Sequence, residues 1–244
     1  MRVTLVPGFS QPASAWAPVI AALHPAIDAT PLDVPDVGDF VATAVAIGSQ
    51  GAPGAPGALG APGVYVGYSL GGRLVLQLAL DRPDLVAGLV LVSASPGVAD
   101  ATERAARAAT DARLAAEVER DGVAVFLERW LAQPLFAGLS PDRARFDDRV
   151  AGTSVARLVH QLTVLGQGAM PSAWERLAEL AMPVLLVTGA LDAKYGAIAA
   201  AMCGRNPRFE HAVLPGGHAV PLEHPTELAD RLTTFVHERS SASE

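Results

Sequence analysis

What this sequence has least of is cysteine and lysine. A single cysteine, Cys203, leaves no intramolecular disulfide to form. One lysine, Lys194, stands with 17 arginines against 25 acidic residues, and the net charge of −7 argues against a nucleic-acid partner. The opening MRVTLVPG has neither the apolar stretch nor the small-residue cleavage site of a secretory signal, so the sequence predicts a cytoplasmic protein. Residues 41–72 carry no charge, yet they predict no membrane span, because eight of residues 51–63 are Gly or Pro. That GAPGAPGALGAPG stretch repeats glycine every third position, but four triplets cannot sustain a triple helix. It predicts a partly polyproline-II surface loop.

What is present is apolar: half of 244 residues, enough for one substantial core and too few for two independent domains. Short β-branched runs, RVTLV (2–6), VYVG (64–67), GLVLVS (88–93) and PVLLVTG (183–189), have the composition of strands buried on both faces. AIDATPLDV (26–34) and FEHAVLPG (209–216) are weaker candidates. Helical patterns lie between them at 14–24, 40–48, 70–81, 195–203 and 226–238. This alternation predicts an α/β fold, a mainly parallel sheet of about six strands covered by helices on both faces. It fails over 97–180, where ATERAARAATDARLAAEVERDGVAVFLERWL and SVARLVHQLTVL read as helices with no strand between. The expectation is a core of 1–96 and 181–244 with a helical cap, 97–180, inserted above the sheet.

VYVGYSLGGRLVLQLAL then reads as strand, G-x-S-x-G turn and amphipathic helix, the context a nucleophile elbow requires. The turn strains the serine backbone, and small neighbours let the surrounding chain approach. Ser69 is the candidate nucleophile, at a helix N-terminus that favours developing negative charge. A serine hydroxyl needs a base to take its proton, and the base needs a partner to fix its tautomer. Asp192, just past the 183–189 strand, and His218, in the Gly-rich loop past the last one, supply both in the chain order of an α/β-hydrolase. His160, on an apolar helix face, His211, within a strand, and His224, before a proline, are other histidines to weigh, and Asp100 is another acid. The oxyanion donors expected are the backbone N–H groups of Leu70 and Phe9.

PGF with a downstream Trp16, GYSLGGRL, FLERWLAQPLF, LGQGAMPSAWERL, TGALDAKY and GGHAVPLEHP together resemble the α/β-hydrolase-fold 2-succinyl-6-hydroxy-2,4-cyclohexadiene-1-carboxylate synthases of menaquinone biosynthesis, the MenH family. The resemblance runs from about residue 2 to 236. It implies a lyase whose triad removes a proton from a cyclohexene substrate so that pyruvate leaves and a diene forms. It further implies that Arg73, Arg107 and Arg149 hold the substrate's carboxylates, as planar guanidinium groups are suited to do. The cap aromatic Trp130 is implied to lie against the substrate, and Tyr68, within GYSLGG, is a further substrate-binding candidate. Two positions depart from the pattern: Pro7 stands where the family usually has histidine, and Leu131 follows the cap tryptophan. The partner implied is a small-molecule carboxylate, with no metal, cofactor or membrane, for a monomer or homodimer. A serine hydrolase of small esters or diketone carbon–carbon bonds shares every triad residue, and a ligand-binding protein on the same fold is a third reading.

Overall fold

The computed structural model describes residues 2–51 and 62–241. Most of the loop predicted at 51–63 therefore lies outside the described residues. Six strands, β1 (Arg2–Val6), β2 (Asp28–Pro31), β3 (Gly63–Tyr68), β4 (Val86–Val92), β5 (Val184–Gly189) and β6 (Phe209–Leu214), form one sheet in the order β2-β1-β3-β4-β5-β6. Every neighbouring pair is parallel. The weaker candidate at 26–34 contributes only four residues, ending at Pro31, which has no N–H to extend a ladder.

Side chains in the central strands alternate between two cores. Tyr65, Leu89, Leu91, Val184 and Leu186 face one side, where they meet α2 (Phe40–Gly51), α3 (Leu70–Asp81) and α8 (Ala193–Cys203). Val64, Val66, Val90, Val92, Leu185 and Val187 face the other, covered by α1 (Ala17–Ala22) and α10 (Pro225–Ser241). Burial on both sides is why these strands read as unbroken apolar runs. The predicted helix at 14–24 is instead a 3₁₀ turn, Ala13–Trp16, leading into the short α1.

Between β4 and β5 the chain carries α4 (Ala101–Leu131), α5 (Pro141–Ala144), α6 (Phe146–Ala151) and α7 (Val155–Thr163), with no strand. α4 and α7 share a small core of Val118, Phe126, Leu127, Leu158 and Leu162. The long helix is not continuous as its sequence suggests. Gly122 sits at φ 79°, ψ 172°, a conformation costly for any residue with a Cβ, and α4 bends there. Among the described residues no helix is long and apolar enough to cross a membrane. The short α9 (Val220–Glu223) follows β6.

Helix α3 is seated on β1 through Gly71, where a Cβ would lie 2.2 Å from the Val6 carbonyl oxygen and 2.6 Å from that of Pro7. Backbone cannot yield as a flexible side chain can. Gly71→Ala is expected to destabilise the protein by about 3 kcal/mol, a fall of roughly 6–12 °C in Tm for a chain of this size. Gly196, within α8, has nothing within 4 Å of a built Cβ. Gly196→Ala should raise stability by about 0.5–1 kcal/mol through helix propensity. Thermal unfolding followed by circular dichroism reads both, and equal Tm values for the two variants would contradict the packing described.

Candidate active site

Ser69 occupies the turn between β3 and α3 at φ 50°, ψ −104°, a strained backbone for a residue with a side chain. Its N–H donates to the Val92 carbonyl at 2.9 Å, fixing the turn to the C-terminal edge of the sheet. The hydroxyl lies 3.3 Å from His218 Nε2, and His218 Nδ1 lies 2.7 Å from Asp192 Oδ2. His218 and Asp192 are buried, whereas Ser69 is half-exposed to a cavity of about 380 Å³ that His218 also lines. Asp192 is held by its own helix: its other oxygen accepts the Tyr195 N–H at 3.3 Å, capping α8. A hydroxyl bonded to an imidazole that is in turn bonded to a carboxylate can pass its proton to the ring.

The loop carrying His218 is clamped by Glu223. One carboxylate oxygen accepts the Gly217 N–H at 2.7 Å and the other the Ala219 N–H at 3.0 Å, so the amides on either side of His218 are tied to one buried side chain. Gly216, at φ 93°, makes the turn before it. Three aromatic rings surround the imidazole: Tyr195 at 4.5 Å, Tyr68 at 5.6 Å and Phe136 at 6.1 Å between centroids. Burial pushes the phenols of Tyr68 and Tyr195 well above the usual tyrosine range, so both stay protonated.

The loop after β1 lies opposite the elbow. The Gly8 N–H donates to Gln11 Oε1 and the Ser10 N–H to Gln161 Oε1, each at 2.9 Å. The amides on both sides of Phe9 are thus occupied, while those of Phe9 and Leu70 have no loop or side-chain acceptor among the described residues.

The predicted arginines all line the cavity but differ in their partners. Arg73, 7% exposed, donates to the Leu165 carbonyl at 2.9 Å and lies 5.9 Å from the Phe40 ring centroid. Arg149, 3% exposed, donates to the Ala144 and Phe9 carbonyls and to Ser10 Oγ. Neither has a carboxylate partner among the described residues, and burial pulls both down to about 10. Arg107 is different: its Nε lies 2.8 Å from the buried Asp111 Oδ1, and its Nη1 donates to Gln167 Oε1 at 2.8 Å. Trp130 lies 4.7 Å from Phe9 and 6.3 Å from Phe136, forming an apolar wall.

The other candidates are engaged elsewhere. Asp100 caps α4, accepting the Glu103 N–H. His211 bonds Thr188 Oγ1 at 2.8 Å, His224 bonds Glu227, and His160 lies 3.3 Å from Asp36. Sequence reasoning missed Asp111, Gln161, Gln167 and Glu223. Two of them had a local signal: Glu223 stands five residues after His218 within the quoted GGHAVPLEHP, and Gln167 lies in the quoted LGQGAMPSAWERL.

A model of the Alpha/beta hydrolase family matches residues 5–231. The chain is 36% identical over 176 residues to a Bacillus subtilis (strain 168) protein named, provisionally, 2-succinyl-6-hydroxy-2,4-cyclohexadiene-1-carboxylate synthase; the match covers 70% of this chain and 64% of that relative, just under two thirds of its length. It is 29% identical over 225 residues to the Serratia proteamaculans (strain 568) protein of that synthase name, covering 89% of this chain and 86% of the relative. The structure of MenH from S. aureus superposes with a TM-score of 0.89 at 22% identity, over 98% of this chain and 94% of that one, which shows a shared fold. With the family model spanning all six strands and both helical layers, the chain belongs to the alpha/beta hydrolase family.

Proposed function

We propose that this enzyme is a MenH-type lyase, eliminating pyruvate from a polyanionic cyclohexene carboxylate on the route to menaquinone, with Ser69, His218 and Asp192 as a catalytic triad. One observation carries the reading: two buried guanidinium groups, Arg73 and Arg149, line the cavity with Ser69, and neither makes an ion pair with a carboxylate among the described residues. Burying an unpaired charge is costly unless a ligand supplies its counterpart. A substrate with several carboxylates does so, and a small neutral ester does not. The names of the Bacillus and Serratia relatives agree with this reading.

In this mechanism His218 draws the proton from Ser69, and Ser69 Oγ removes a ring proton next to the substrate's succinyl carbonyl. Negative charge moves to that carbonyl oxygen, where the Phe9 and Leu70 amides receive it. The charge then returns through the ring, forming the diene as the carbon–oxygen bond to the enolpyruvyl group breaks; the departing enolpyruvate takes the proton held by His218 at its CH2 carbon and leaves as pyruvate, which restores neutral His218 and the Ser69 hydroxyl. Asp192 holds His218 in the tautomer that accepts from Ser69. Arg73 and Arg149 hold carboxylates, Tyr68 and Trp130 bracket the ring, and Arg107, already paired with Asp111, contributes its remaining N–H donors. The reaction requires no cofactor and suits a cytoplasmic enzyme.

Ser69→Ala and His218→Ala should each lower turnover on the order of 10³-fold or more, read as pyruvate released from the pathway intermediate. Wild-type protein that releases no pyruvate but cleaves p-nitrophenyl esters would instead be a serine hydrolase.

Arg73 separates those chemistries further. A charge-assisted contact of roughly 1.5–3 kcal/mol predicts a ten- to hundred-fold loss of kcat/KM for Arg73→Ala on the polyanion, with hydrolysis of a neutral ester little changed. Arg73→Lys should recover only part of the loss, because a point charge lacks the planar fork. Equal losses on charged and neutral substrates would make Arg73 a structural residue of α3.

A further inference from the structure

We infer that Gln161, from α7 above the sheet, is a further catalytic residue: its carboxamide NH2 donates to the same substrate oxygen that the Phe9 and Leu70 amides receive. The inference rests on the reading of Ser69 and its oxyanion donors given above, and adds a donor from a different part of the chain.

The orientation of the Gln161 amide follows from its partner. A backbone N–H can only donate, so the group accepting from Ser10 at 2.9 Å is the side-chain oxygen, and the NH2 is turned the other way. Gln161 is 3% exposed and lines the cavity, yet this NH2 donates to nothing among the described residues. The NH2 is not sealed in the core, where an unpartnered donor would cost free energy comparable to a lost hydrogen bond; Gln161 offers it from the cavity lining. Its carbonyl end grips Ser10, the residue next to Phe9, so the amide is tethered to the loop that carries the Phe9 N–H.

The surrounding loop is built to hold that arrangement. Ser10 sits at φ 61°, left-handed backbone that a residue with a side chain avoids unless its surroundings impose it. Gln161 takes its N–H and Arg149 donates to its hydroxyl. Gly8 is closed off in turn by Gln11. With both flanking amides consumed, the Phe9 amide and the Gln161 NH2 remain as uncharged donors on this side of the cavity, beside the Arg149 guanidinium.

The test compares Gln161→Leu and Gln161→Glu with wild type in two assays. One is pyruvate release from the pathway intermediate. The other is the rate at which a neutral fluorophosphonate modifies Ser69, followed by intact mass: the Ser69 Oγ–P bond forms, fluoride leaves, and the hydroxyl proton passes to His218. That rate needs the nucleophile and its oxyanion donors but not the carboxylate-binding arginines. Glu has nearly the shape of Gln and keeps an oxygen for the Ser10 N–H, so it preserves the tether while removing the donor. Both variants are expected to slow phosphonylation by ten- to hundred-fold, and to lower kcat for pyruvate release similarly, with KM in Gln161→Leu within about threefold of wild type. Wild-type phosphonylation rates in Gln161→Glu would overturn the inference, as tethering alone would then explain the residue. Wild-type protein that releases no pyruvate, with phosphonylation still slowed in both variants, would leave this inference standing and overturn the substrate reading.

Discussion

The contact on which the site depends is the close approach of α3 to β1 at Gly71, where helix and strand backbones meet with no room for a side chain between them. It brings the N-terminus of α3, with Ser69 and the Leu70 amide, beside the loop that leaves β1 with Phe9. Ser69 is held to β4 at the same time through its N–H to Val92. The candidate nucleophile and both proposed oxyanion donors are thus placed by the sheet itself, before any side chain in the cavity is considered. His218 and Asp192 arrive from the other half of the sheet, on loops stabilised separately by Glu223 and by the cap of α8.

How much of this is legible in the sequence follows from the range of each interaction. A strand buried on both faces announces itself in five or six consecutive residues, and so do the G-x-S-x-G turn and the loops after β5 and β6. The pairing of Ser10 with Gln161 joins residues 151 apart, and that of Arg107 with Gln167 spans 60. No local pattern distinguishes Gln161 from a solvated glutamine, and Gln167, though within the quoted LGQGAMPSAWERL, has nothing beside it in sequence that names its partner. Asp111 is subtler: its spacing from Arg107 is that of an ordinary helix pair, and only its burial shows that it takes up charge the resemblance had assigned to substrate. The bend at Gly122 was in view as a glycine inside a helical pattern, but a lone glycine is as often accommodated as not.

The electrostatics of the cavity run against those of the chain. A protein with a net charge of −7 gathers buried positive charge in one enclosed place, at Arg73 and Arg149, neither in an ion pair among the described residues. Desolvation draws both guanidinium groups down to about 10, which still leaves them charged at neutral pH. The anionic substrate proposed for this cavity would offset that cost, and its binding would then stabilise the fold that carries the two arginines on α3 and α6.

The bend in α4 has a geometric consequence. Thirty-one residues of straight helix would extend about 46 Å, as far as a domain of this size measures across. Because the segment bends at Gly122, Arg107 before the bend and Trp130 after it line one cavity. Its charged wall and its aromatic wall are thus carried by the two arms of a single bent helix.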